Sequence, residues 1–509
     1  MALGYYKSVF KTLGILMMVF SFSMVIPFIV SAVETDVETA SSFMASFFFT
    51  LITGLLLWVP SRSDSSDIRL HEGFLIVALF WVILALFGSI PFIMLPDSNI
   101  SLTDAVFEST SGLTTTGATI LTGLDDLPKG LLFYRSQLQW LGGLGIIVLA
   151  VAIMPLLGVG GMQLYRAESG TGIQDSKFTP RQTETAKSLA RIYLALTFLC
   201  MLGYLSAGMS FFDAICHAMT TTAIGGFSTH DASFAFFEGM PGVYLISSLF
   251  MFLAGINFTL HFFAWKSKSL LGFLKDSEFK AYLLLLILVT CIASLSFVFS
   301  DFSETNQPGL SQIIFQVISI GTTTGYTSSG YFLWPAFIPF LLIVYSFIGG
   351  CVGSTGGGLK VGRCLMMLKQ VFKELKQLIH PSAEIPVKMN AKSVDEKVLN
   401  SVWGFVSAYL IILVVFSMVL MWSGLDQVSS FSAIAASLNN LGPGLGDVSS
   451  NYAALSDFNK WVCVLAMVLG RLEIFALLVL LTPTFWRDKN GSDIPWHSKG
   501  LYFAWKVSF

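Results

Sequence analysis

Four short stretches of the chain combine hydroxyls, amides and glycine in a way that suits ion coordination: Thr115-Thr116-Gly117, Ala223-Ile224-Gly225, Thr323-Thr324-Gly325 and Asn440-Leu441-Gly442. Their glycines lie 108, 100 and 117 residues apart. Glycine tolerates the dihedrals that turn backbone carbonyls toward a common point, and a ring of such carbonyls can replace the hydration shell of a cation. The donors are hard oxygens without fixed carboxylates, which favours a weakly hydrated monovalent ion over calcium or magnesium. One such string reads as an ordinary surface turn. Four in register, inside a chain this apolar, point to one shared site.

The surrounding elements explain why polar backbone occurs there. The chain is 54% hydrophobic and only 12% charged, against about a quarter charged in a soluble domain, so an integral membrane protein is expected. Apolar runs of spanning length lie at 12–33, 43–60, 73–96, 137–158, 189–209, 242–264, 281–300, 402–423 and 460–483, with an interrupted run at 333–378. The first ends in Val30-Ser31-Ala32, which mimics a signal-peptidase site, but its apolar core is long and a retained helix is expected. Each of the four glycines follows a semi-polar helical stretch too short to span, and a second glycine (Gly143, Gly255, Gly350, Gly470) sits inside the next run. The repeating unit is therefore span, half-length helix, glycine loop, span. Non-helical backbone cannot face lipid, so four such loops must be buried in protein or line water, which suggests four units around one axis.

All but four of the 29 basic residues fall on one face, the exceptions being Lys129, Arg135, Lys460 and Arg471. Basic loops mark the cytoplasmic side, so both termini are expected there. A net charge of −2 argues against a nucleic-acid partner, and the six cysteines read as small buried hydrophobes without a disulfide framework.

The strings TTTGAT, AIGGFSTHDAS, GTTTGY, NNLGPGLGD and GGCVGSTGGGLKVGR make the chain similar, over almost its whole length, to the Trk/Ktr/HKT superfamily of potassium transporters, and within it to the TrkH family. The resemblance implies an all-α integral membrane fold of four pseudo-symmetric span, pore-helix, span repeats around a central pore, preceded by two extra transmembrane helices. The corresponding boundaries are 1–70 for the extension and 71–165, 166–275, 276–390 and 391–509 for the repeats. It implies potassium uptake across a bacterial inner membrane, a homodimer, and a cytoplasmic nucleotide-binding partner ring of the TrkA type. Carried over by residue, potassium would be held at a selectivity filter of Thr115, Thr116, Gly117, Ala223, Ile224, Gly225, Thr323, Thr324, Gly325, Asn440, Leu441 and Gly442. Relatives with serine in the first loop tend to admit sodium, so Gly117 resembles the potassium-selective members. In this alignment one loop alone has an aromatic after its glycine, Tyr326, so the filter should be less uniform than that of tetrameric channels.

A gate is expected in the third repeat, where residues 349–358 hold six glycines (Gly349, Gly350, Gly353, Gly356, Gly357, Gly358) with Ser354 and Thr355. Each interior glycine costs a helix roughly 1 kcal/mol, so the span should break and resume near Leu359. Glycines also permit close helix packing; the functional reading is a flexible intramembrane loop across the conduction path below the filter. Arg471, near the middle of its apolar run, is costly unless it faces a cavity or partner. It is expected to face the pore and oppose cations, since Glu473 points to another side of the helix.

Other signals carry less. GSTGGGLK departs from a phosphate loop at Leu359 and Val361, and GLGD lacks the second aspartate of an intramembrane protease. No enzymatic activity and no cofactor bound by this chain are expected, potassium being the transported ion. The main rival reading is a secondary transporter coupling potassium to protons or sodium, disfavoured because the sequence offers no convincing buried acid pair.

Overall fold

Twelve or thirteen helical residues rise about 18–20 Å, short of the roughly 30 Å hydrocarbon layer, and among the described residues four helices of this length lie between the long ones, at Leu102–Leu113, Phe211–Ala223, Leu310–Gly321 and Gln427–Leu438. The structure, a computed structural model, describes residues 7–63, 70–95, 100–152, 180–299, 308–328, 330–482 and 485.

The chain opens with α1 (Lys7–Ser21), α2 (Val25–Val33) and α3 (Val37–Trp58), where α1 and α2 run on through a short 3₁₀ turn. Then follow α4 (Leu70–Gly88), α5 (Ile90–Ile93), the half-length α6 (Leu102–Leu113) and α7 (Lys129–Ala152). Next come α8 (Pro180–Ser206), the half-length α9 (Phe211–Ala223), α10 (Pro241–Ala254) and α11 (Phe258–Ser267). The third group is α12 (Leu271–Lys275), α13 (Ser277–Val298), the half-length α14 (Leu310–Gly321), α15 (Phe337–Ser346) and α16 (Val361–Ile379). A two-stranded antiparallel hairpin, β1 (Lys388–Met389) and β2 (Lys392–Ser393), pairs Lys388 with Ser393 across Asn390 and Ala391, both at positive φ as a tight hairpin turn requires. The last group is α17 (Glu396–Trp422), the half-length α18 (Gln427–Leu438), α19 (Asp457–Arg471) and α20 (Phe475–Leu481).

Among the described residues, six helices are long and apolar enough to cross a membrane, and eight if each of two bent pairs counts as one span. Their outer faces remain apolar. On α17, Leu410, Ile411, Val414, Val415 and Met418 are exposed, while Phe405, Tyr409, Leu413 and Leu420 face the protein. That pattern suits a helix with lipid on one side and packed side chains on the other.

The two bent pairs depart from the sequence reading. Runs 242–264 and 460–483 read as unbroken spans, yet α10 and α11 meet at 94° and α19 and α20 at 114°. Long-range partners compensate the first break: Cys351 N donates to Gly255 O at 2.9 Å, Phe258 N donates to Gly353 O at 3.1 Å, and Asn257 caps α11 through Thr259 N. At the second, Glu473 and Ile474 both adopt positive φ, and Ile474 N closes the end of α19 on Leu469 O at 2.9 Å. Backbone freed from a helix inside a membrane protein persists only where such partners exist.

Candidate functional site

The N-termini of the half-length helices are fixed by their own sequence. Ser101 and Ser210 cap α6 and α9 through the amides of Asp104 and Asp213, both at 3.1 Å, and Asp426 caps α18 through Val428 N and Ser429 N. In α14 the side chain of Gln312 accepts from Gly309 N at 3.1 Å.

Their C-termini share one geometry. Thr115, Ile224, Thr323 and Asn440 lie in the left-handed region, with φ of 53°, 55°, 69° and 52°. The amides of the residues that follow, Thr116, Gly225, Thr324 and Leu441, each bond back to a carbonyl five residues earlier, at 2.8, 2.9, 2.8 and 2.8 Å. This is the Schellman ending, normally built on glycine; here it holds two threonines, an isoleucine and an asparagine, at a cost of about 1–3 kcal/mol each.

The next residue in each loop is a glycine at φ 83°, 82°, 86° and 100°: Gly117, Gly226, Gly325 and Gly442. These four form a closed chain of contacts. A Cβ on Gly117 would lie 2.2 Å from Gly225 O, on Gly226 2.0 Å from Thr324 O, on Gly325 2.0 Å from Leu441 O, and on Gly442 2.8 Å from Thr116 O. Each loop thus abuts the next in cyclic order, too closely for any side chain. Asn440 Nδ2 adds a hydrogen bond to Thr116 Oγ1 at 3.0 Å between the last loop and the first.

This geometry corrects the register read from sequence in the second loop. The residues equivalent to Thr115-Thr116-Gly117 are Ile224, Gly225 and Gly226; Ala223 lies at the end of α9, one position before. The adjacent Gly225 and Gly226 made the two alignments indistinguishable by composition. It follows that two loops carry an aromatic after the glycine, Phe227 as well as Tyr326.

Polar side chains behind the loops hold them in place. Arg135 and Glu108 form a fully buried ion pair at 2.8 Å, and Glu108 also accepts from Thr119 Oγ1 and Ile120 N, while Arg135 donates to Ser228 O. The Arg135 guanidinium lies 4.2 Å from the Phe227 ring centre. Gln139 clamps the second loop from both sides, donating to Gly225 O at 2.6 Å and accepting from Phe227 N at 3.1 Å. The Tyr326 hydroxyl reaches into α9, contacting Thr220 and, at 3.1 Å, Thr221.

On the side where the chain leaves the loops, a cavity of about 110 Å³ is lined by all four ring glycines together with His230 and Asp231. His230 bridges two loops, touching Asp125 and lying 3.4 Å from Asp213. Burial works against a charged ring there, but the two carboxylates outweigh it and raise the His230 pKa above the ordinary imidazole value. For Asp213, burial is likewise outweighed, by the His230 ring beside it and by hydrogen bonds from Ser210 and Thr229, and its carboxyl is held well below the usual range.

On the opposite side, α15 stops at Ser346 and α16 begins at Val361, with the glycine-rich segment between them. Gly349, Gly353 and Gly358 take φ of 69°, 76° and 75°. The segment lies against the helix ends: Thr355 Oγ1 donates to Thr222 O at 3.1 Å, Gly357 N donates to Thr323 Oγ1 at 2.7 Å, and a Cβ on Gly357 would lie 1.9 Å from Asn439 O. Gly350 O accepts from Val361 N at 3.0 Å, Ser354 N donates to Cys351 O at 3.1 Å, and Gly356 O accepts from the Lys360 ammonium. Glu278 Oε1 accepts from Val352 N at 2.7 Å and Gly362 N at 2.8 Å, tying the middle of the segment to the first turn of α16.

Arg471, only 3% exposed, donates to Thr355 O at 3.0 Å and to Gly142 O at 3.1 Å. Its positive charge rests on carbonyl oxygens beside the loop, and Glu473 pairs instead with Arg363 at 2.6 Å. Sequence reading missed the braces Arg135, Gln139, Glu278 and Arg363. A signal for Arg135 was present, in the basic residues left over from the one-sided charge pattern. Lys129 pairs with Glu34 at 2.9 Å, Arg135 with Glu108 at 2.8 Å and Lys460 with Asp104 at 2.6 Å, while Arg471 takes the two carbonyls.

Long apolar helices enclosing four half-length helices whose ends meet in an oxygen-rich ring define an integral membrane protein of the ion-transport class. The family model for TrkH, described as a cation transport protein, matches residues 39–490, and the chain belongs to that family. It is 47% identical over 485 residues to the Trk system potassium uptake protein TrkH of Vibrio parahaemolyticus, covering 95% of this chain and all of that one. To the protein of the same name in Escherichia coli strain K12 it is 46% identical over 484 residues, with the same coverage of 95% and 100%. Among solved structures it matches the crystal structure of the potassium transporter TrkH from Vibrio parahaemolyticus with a TM-score of 0.88 at 46% identity, covering 95% of this chain and 100% of that one.

Proposed function

We propose that this chain is a channel-like potassium uptake permease of a bacterial inner membrane, built as four pseudo-symmetric repeats around one pore. In this reading it works as a homodimer, with both termini cytoplasmic, and is opened by a cytoplasmic nucleotide-binding ring of the TrkA type. The observation that carries it is the closed cyclic contact among Gly117, Gly226, Gly325 and Gly442. Around that ring the ends of α6, α9, α14 and α18 direct the negative ends of their dipoles toward one place. Backbone and threonine oxygens supply the rest, a donor set that suits a dehydrated potassium ion. The names of the relatives, potassium uptake proteins, support the choice of ion.

Segment 347–360 and Arg471 are the closing elements: the loop covers the helix ends, and the guanidinium holds a positive charge where an ion would leave the ring. Glu108 and Glu278, two buried carboxylates near the loops, are engaged by Arg135 and by backbone amides. Such engagement favours a conduit over a carrier that shuttles protons. The test is growth of a bacterium lacking potassium uptake on low potassium, with and without this chain and a TrkA-type partner. Rescue that needs both is expected; no rescue with the partner present contradicts the reading.

A further inference from the structure

We propose that Arg363 and Glu473 form a latch that makes the glycine-rich segment and Arg471 a single moving part; this rests on the reading of that segment as a gate. Arg363 lies in the first turn of α16, directly after the segment. Its guanidinium is 2.6 Å from Glu473 Oε2 and 4.4 Å from the Phe405 ring centre, with the arginine side chain 2% exposed. Glu473 stands in the bend between α19 and α20, at φ 55°, two residues beyond Arg471.

These contacts close a circuit. From Thr355 the chain runs eight residues to Arg363, crosses the ion pair to Glu473, returns two residues to Arg471, and crosses its hydrogen bond back to Thr355 O at 3.0 Å. A shift of α16 that withdraws the segment must therefore either break an ion pair whose arginine is buried and whose glutamate is 18% exposed, or pull the bend and Arg471 with it. Leaving the buried guanidinium without its counter-ion is expensive. The bend is the weaker link, because Glu473 and Ile474 already occupy unfavourable dihedrals. The pair consequently holds the closed arrangement and, when α16 moves, transmits that movement to the second barrier.

The test measures potassium flux into proteoliposomes carrying the full chain without any partner. The neutral variants Arg363→Gln and Glu473→Gln should each raise flux on the order of tenfold, the size of a typical coupling between contacting side chains. Combining them should add little. The charge swap R363E/E473R should bring flux back toward the parent level, which loss of fold or of packing would not do. The potassium-to-sodium reversal potential should stay unchanged throughout, because the ring is untouched. Unchanged flux in both neutral variants overturns the latch, as does a swap that leaks as much as the two single variants multiplied. Arg471→Ala serves as the separate control. If it leaks while the latch variants do not, the gate stands and the latch falls; if it does not leak either, the gate reading itself falls.

Discussion

At Ile224 a β-branched side chain sits at φ 55°, a conformation that bulky residues rarely adopt. The surroundings impose it: Gly225 N bonds back to Thr220 O, and Gln139 grips the loop on both sides of Gly226. Gly226→Ala places a methyl group 2.0 Å from the backbone oxygen of Thr324, whereas Gly225→Ala meets the side chain of Gln139. Backbone cannot yield as a side chain can, so Gly226→Ala should abolish potassium flux and Gly225→Ala should retain a measurable part; the opposite order in a liposome assay would restore the alignment read from sequence. His230 gives a pH prediction. Its pKa is raised in the folded protein, so its tie to Asp125 and Asp213 contributes fully below the unfolded value of about 6.5 and is lost as pH rises through the folded value. His230→Gln should accordingly lower the melting temperature more at about pH 5.5 than at about pH 9. An equal drop at both would show that the ring matters for its packing on Phe236 alone.

Among the elements, the half-length helices were readable because their cues are local: a serine or aspartate cap, about twelve semi-polar residues, then threonine or asparagine and glycine. The interruption at 347–360 was readable for the same reason, six glycines in ten positions. The bends at 255–257 and 472–474 were not, because each depends on partners far away in sequence, among them Cys351 N on Gly255 O and Arg363 on Glu473. The brace between α6 and α7 also escaped notice, although Arg135 was conspicuous as a basic residue on the wrong face. Its pairing with Glu108 leads to a stability prediction. Glu108→Ala leaves the guanidinium buried without its counter-ion, which in general costs about 3–5 kcal/mol, and the detergent-solubilised protein should melt well below the parent. A melting temperature unchanged by that substitution would mean that Ser228 O and the Phe227 ring suffice to hold Arg135.

Taken whole, the molecule places a polar, strained ring inside an apolar shell and lets each loop lean on the next. No single repeat closes the ring, since every glycine meets a carbonyl of a different loop. The charges around it are divided accordingly: Arg135 is paired with Glu108, while Arg471 rests on carbonyls, one of them in the glycine-rich segment. The most direct measurement of the central claim is the reversal potential of the purified chain together with the proposed TrkA-type ring in liposomes, under opposed potassium and sodium gradients and then under a pH gradient. A conduit through the ring predicts a potential near the potassium equilibrium value that ignores the sodium and proton gradients; a potential that follows either gradient, or no potassium current at all, would contradict it.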